Sequence, residues 1–81
     1  MDRFDKEILF GAENRKFQFE RLRNMNGVKF FVTTVNEKGK PISFSMTQSR
    51  EGNWKLFPGS LMWLYEIESQ LSDAIVDTRL L

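Results

Sequence analysis

The sequence predicts an α+β domain: an antiparallel meander of four to five strands followed by one C-terminal amphipathic helix packed on the sheet. Three observations carry that reading. Turn signals recur at Asn24-Met25-Asn26-Gly27, at Asn36-Glu37-Lys38-Gly39-Lys40-Pro41 and at Ser49-Arg50-Glu51-Gly52-Asn53. The segments between them alternate with period 2 and are rich in aromatic and β-branched residues. After Pro58-Gly59 the apolar spacing changes to three and four. With 81 residues the chain reads as a single domain, residues 1–14 an arm or first strand, 15–57 the meander and 60–77 the helix. A core of this size buries only about 60 to 65% of the unfolded surface, so a partner chain would help it.

The elements follow in order. Glu7-Ile8-Leu9-Phe10 is a further strand or a loose arm. Lys16 to Arg23 and Val28 to Val35 are antiparallel strands, because Asn-Gly tolerates the positive φ of a tight hairpin turn. Ile42-Ser43-Phe44-Ser45-Met46-Thr47 alternates apolar and hydroxyl side chains, the pattern of a half-buried strand. Trp54-Lys55-Leu56-Phe57 is a short strand before the Pro-Gly break. Ser60 offers an oxygen to cap the helix, whose apolar stripe is Leu61, Leu64, Ile67, Leu71 and Ile75, with Met62, Glu66, Ser69, Asp73 and Asp77 on the far side. Glu68 falls inside the stripe. A buried lone carboxylate is costly, so it meets a Lys or Arg or lies at a subunit boundary.

Alternation assigns the faces. Ile42, Phe44 and Met46 point toward the helix, and Ser43, Ser45 and Thr47 stay on an open face. Val28, Phe30 and Val32 point inward, which turns Lys29, Phe31 and Thr33 outward. Phe17, Phe19, Arg21 and Arg23 share one parity. A bulge would send the Phe pair inward and the Arg pair outward. Phe17, Phe19, Phe30 and Phe44 are core residues on this reading, while Trp54 is either a base-stacking ring beside Lys55 or a plug closing the sheet under Trp63.

Composition narrows the function. There is no Cys and no His, which removes disulfides, the usual zinc ligands, thiol nucleophiles and imidazole bases. No Gly-rich phosphate loop, Ser elbow or acidic cluster is present, so the chain reads as a non-enzyme without metal or cofactor. The first residues lack the apolar run of a signal peptide and no stretch approaches a membrane span, which predicts a cytoplasmic protein. Between Arg15 and Lys55 nine cations stand against three acids, with aromatics among them, whereas from Pro58 onward Glu66, Glu68, Asp73 and Asp77 face Arg79 alone. Cations and exposed rings on a sheet suit single-stranded DNA or RNA, since splayed bases stack on such a surface. Duplex readout usually needs a groove-reading helix or ribbon, and the one helix here is acidic. The candidate residues are Lys16, Arg21, Arg23, Lys29, Phe31, Ser43, Ser45, Trp54 and Lys55. The alternative is a protein-interaction or assembly module in which the charge only confers solubility.

The segment Arg15-Lys16-Phe17-Gln18-Phe19-Glu20-Arg21-Leu22-Arg23-Asn24-Met25-Asn26-Gly27-Val28-Lys29-Phe30-Phe31-Val32 resembles a repeat of the purine-rich-element-binding (PUR) family, and the element order matches it over about residues 6 to 76. The resemblance implies a four-stranded sheet and helix related to the Whirly and positive-cofactor-4 folds, two units paired as a dimer, and single-stranded DNA or RNA bound on the sheet; the reading that follows is a homodimer binding with low sequence specificity, as a candidate transcription regulator. Carried over by position it points to Arg21, Arg23, Asn24 and Lys29. The chain departs from the pattern in an extra residue after Gly27, a polar last hairpin, and Leu22 where a basic residue is frequent. Because one unit is present, the resemblance implies a homodimer, with Trp63, Leu64, Glu68 and Leu71 as candidate contacts.

Overall fold

The computed structural model describes residues 2–25 and 27–78; the turn residue Asn26 and the cation Arg79 lie outside the described residues. Five strands, β1 (Arg3–Phe10), β2 (Glu13–Asn24), β3 (Gly27–Val35), β4 (Pro41–Gln48) and β5 (Trp54–Leu56), form one antiparallel sheet in chain order, followed by α1 (Met62–Tyr65) and α2 (Glu68–Thr78). The fold is α+β, a meander curled into a half-barrel with the helical segment against it. The segment left open as arm or strand is a full strand, since Arg3 to Phe10 pairs residue by residue with Glu20 to Glu13 across the two-residue turn Gly11-Ala12.

Local chemistry explains the turns. Asn36 Oδ1 accepts the amide hydrogens of Lys38 and Lys40, each at 2.9 Å, and Gly39 takes a φ of 78° that a side chain would disfavour. The β2–β3 ladder runs unbroken from Gln18↔Thr33 to Asn24↔Gly27, so there is no bulge at Arg21. Where that ladder stops, the buried Thr34 hydroxyl donates to the Lys16 carbonyl at 2.8 Å.

One face of the sheet is core. Ile8, Phe17, Phe19, Phe30, Val32, Phe44, Met46, Trp54 and Leu56 meet Leu64, Ile67, Leu71, Ala74 and Ile75 from the helical segment. Ring contacts tie strands together: Phe4 of β1 stacks on Phe19 of the neighbouring β2 at 4.5 Å, and Phe30 of β3 meets Trp54 of β5 edge-on at 5.0 Å across β4. The helix expected over 60–77 is interrupted after Tyr65. The amide hydrogens of Leu64, Glu66 and Ile67 each bond three residues back, a tighter winding that lets Leu64 and Ile67 both reach the core. Leu61 is the N-cap, without a side-chain bond, and it is exposed, so it does not belong to the apolar stripe. The Ser60 hydroxyl turns back to the Phe57 carbonyl at 2.7 Å and caps nothing.

α2 is anchored through the edge of β5. The Trp54 amide donates to Ser72 Oγ and the Leu56 amide to Glu68 Oε2, both at 2.9 Å. Four residues on a helix rise about 6.0 Å and two on a strand about 6.7 Å, so residues 68 and 72 match 56 and 54. This explains the carboxylate inside the apolar stripe: Glu68 closes a strand edge, with Lys55 Nζ at 3.8 Å. Ser72→Ala would strand the buried Trp54 amide at a cost of about 1 to 3 kcal/mol. Urea unfolding should read that loss; a change within the scatter of repeat titrations would show that the latch carries no weight.

Candidate nucleic-acid interface

The helical segment covers only one side of the sheet, and period-2 alternation decides what the other side carries. Lys16, Lys29, Phe31, Ser43, Ser45 and Lys55 all lie on the uncovered side, because their strand neighbours Phe17, Phe30, Val32, Phe44, Met46, Trp54 and Leu56 are buried. That side has two halves. Over β1 and β2 the cations are met by acids in cross-strand pairs, Arg3 with Glu20 at 3.1 Å and Lys16 with Asp5 at 3.4 Å. Such exposed pairs contribute little to stability, and with Glu7 also opposite Lys16 the acids outnumber the cations on this half.

Over β3, β4 and β5 the surface is different. The register sets Lys29 opposite Thr47 and Thr47 opposite Lys55. One step along, Phe31 lies opposite Ser45, and the Phe57 amide donates to the Ser45 carbonyl at 3.0 Å, so Phe57 continues the β5 line. Phe57 is 59% exposed and Phe31 37%. The two rings, with Ser43 and Ser45, line a single groove of about 350 Å³ beside the 58–61 loop. At the hairpin end a second groove of about 310 Å³ is lined by Asn24, Lys29, Thr47 and Gln48. Phe57 and Thr47 therefore complete the surface, although neither was among the candidates. The tripeptides Lys29-Phe30-Phe31 and Lys55-Leu56-Phe57 carry the signal: the same Lys-x-Phe spacing places a cation and a ring on one face of two strands.

Three expectations are corrected by burial and register. With no bulge, Arg21 and Arg23 stay on the side of Phe17 and Phe19, opposite to Lys29. Arg21 is tolerated there because it closes the end of the core, its side chain only 10% exposed and its guanidinium 2.8 Å from the Asp2 carboxylate. Trp54 is 7% exposed and packed on Phe30, so it is a core ring that offers no stacking face, and the ring that Trp63 meets is Phe10. Leu64 and Leu71 are buried in the chain's own core and present no surface to a second copy. Trp63 is half-buried, 5.0 Å from Phe10, with the Arg15 guanidinium 5.2 Å from its ring. Arg23 is exposed at the same end of the sheet as Asn24.

Among the described residues no group of three or more acidic, His or Cys side chains could hold a metal ion, and no helix is long and apolar enough to cross a membrane. Comparison with family models, curated proteins and solved structures finds no match to this chain. The likeness to PUR repeats thus rests on the residues quoted above.

The Arg21 hydrogen bonds hold the Asp2 carboxyl below its ordinary pKa. A folded value below the unfolded one means that the pair stabilises the chain above the unfolded pKa and that this is lost as pH falls through the folded value. Arg21→Gln should move the Asp2 midpoint upward in an NMR carboxyl titration; an unmoved midpoint would contradict the pairing.

Proposed function

We propose that this chain binds single-stranded DNA or RNA, with weak sequence preference, on the side of the sheet that the helical segment leaves uncovered. The carrying observation is the row Lys29, Thr47, Lys55 beside the exposed ring of Phe31: two cations from different strands flank a small hydroxyl, next to an aromatic platform. Cations supply sequence-independent attraction to phosphates, and a ring supplies stacking to any base. Ser43, Ser45 and Thr47 add hydroxyls able to bond phosphate or sugar oxygens. Arg23 and Asn24 extend the polar end of the sheet, whereas Arg21 serves the fold.

The pairing with a second copy that the family resemblance implies would draw on Trp63 and on the exposed Met62 and Tyr65 of α1, since Leu64 and Leu71 are already occupied in the core. Sedimentation with and without an oligonucleotide reads both assembly and ligand. A second reading, a protein-docking module, is favoured by the exposed run Phe57, Leu61 and Met62; partner binding that is insensitive to salt and not displaced by an oligonucleotide would select it.

Fluorescence anisotropy of a labelled oligothymidylate across a potassium chloride series is the test. Log affinity should fall linearly with log salt, and Lys29→Ala and Lys55→Ala should each flatten the slope by about 0.7, the single-strand value per phosphate contact. Absence of binding at the lowest salt would end the proposal.

A further inference from the structure

We infer that the trench along β4 is a subsite for one nucleotide unit, taking a base between the rings of Phe31 and Phe57 over Ser45 and a phosphate between Lys29 and Lys55 over Thr47. This deepens the reading above and rests on it for the polynucleotide source of that unit.

Strand register builds the trench. The outward column of β4 is Ser43, Ser45 and Thr47, all small hydroxyl residues, so the middle of this half of the surface is low and can donate and accept hydrogen bonds. The columns on either side repeat each other: Lys29 then Phe31 on β3, and Lys55 then Phe57 along β5. Antiparallel pairing places cation across from cation and ring across from ring. Two ring-on-base contacts of 3.5 to 4.0 Å need about 7 to 8 Å between the walls, and the two Phe residues start from backbones about 9.6 Å apart, two strand spacings. Small side-chain leanings close that difference. The two rings and both serines line the same groove of about 350 Å³.

Along the strands the Lys row lies about 6.7 Å from the Phe row, a separation that a sugar spans between its phosphate and its base. The order of the rows also sets a direction: the phosphate of the bound unit lies toward the Asn24 hairpin end, and its base toward the 58–61 loop.

Glu68 competes for this site. Lys55 Nζ lies 3.8 Å from Glu68 Oε1 with both side chains partly exposed, a weak pair that a phosphate can displace. Glu68→Gln keeps an amide oxygen to accept the Leu56 hydrogen bond while removing the charge that draws Lys55 aside. Affinity for phosphate-bearing ligand should then rise a few-fold, an effect that a purely structural Glu68 would not give.

The test compares Phe31→Ala, Phe57→Ala and Phe57→Trp on a labelled oligothymidylate and on an abasic oligonucleotide of equal length, with a nucleoside 5′-monophosphate as a third probe. Both rings are exposed, and a thermal melt confirms that each variant folds. Each alanine should weaken oligothymidylate binding about 5- to 150-fold, the range of base stacking on a ring, with the salt slope unchanged. Neither should alter binding of the abasic strand, and Phe57→Trp should restore affinity. Oligothymidylate binding with a steep salt slope that ignores both alanines would overturn the trench and leave the nucleic-acid reading standing. Monophosphate binding that needs both rings, without any oligonucleotide binding, would keep the trench and refute the polynucleotide source. No binding of any probe would overturn both.

Discussion

The structure depends on how α2 meets the free edge of β5. A three-residue strand at the end of a meander offers two amide hydrogens that nothing in the sheet can accept, and an unpaired buried donor is costly. Glu68 and Ser72 accept them from one helix face, at a spacing that strand and helix share. The latch fixes the helix against β5, from where it also reaches β1, so the two ends of the curled sheet are held around one core. It follows that the helical residues fill the side of the sheet that carries Phe17, Phe30 and Leu56 and that the opposite side stays open. What that open side carries is the functional question.

The two sides divide the cations in a way that net charge conceals. Arg15 and Arg21 lie on the core side, where their long side chains cover aromatic rings or close the end of the barrel. Arg3 and Lys16, on the open side, are met by Glu20 and Asp5. Lys29 and Lys55 lie among hydroxyls and rings on β3 to β5, Lys55 with its Nζ 3.8 Å from Glu68 Oε1. A basic segment in the sequence thus becomes, on the open side of β3 to β5, a row two cations wide.

Much of this was legible in the chain. Asn-Gly, the Lys38-Gly39 turn and the Glu51-Gly52 turn marked three hairpins because each needs a residue at ease with positive φ, and hydroxyl alternation in residues 42–47 named the open face. The turn at Gly11-Ala12 is weaker in sequence, a single Gly at φ 63° followed by an Ala without turn preference, so the sequence alone does not decide between arm and strand for β1. The parity of Phe17, Phe19, Arg21 and Arg23 was visible, but pairing of an arginine at a core edge with Asp2, nineteen residues away, is tertiary information. Trp54 was ambiguous for a related reason: a ring beside a lysine looks the same in sequence whether it faces solvent or Phe30. The break in the helix came from packing demands on Leu64 and Ile67 that a continuous 3.6-residue period hides. Phe57 reads in sequence as a strand end before Pro58, although its spacing from Lys55 repeats that of Phe31 from Lys29.

The central claim is that ligand recognition belongs to the open side of β3 to β5 and that the latched side serves the fold alone. Backbone amide shifts in a two-dimensional NMR titration with an oligothymidylate address it residue by residue. The account predicts the largest shifts at Lys29, Phe31, Ser45, Thr47, Lys55 and Phe57, with Ala74 and Ile75 of α2 unmoved. Shifts concentrated on α2, or spread evenly over both sides of the sheet, would contradict it.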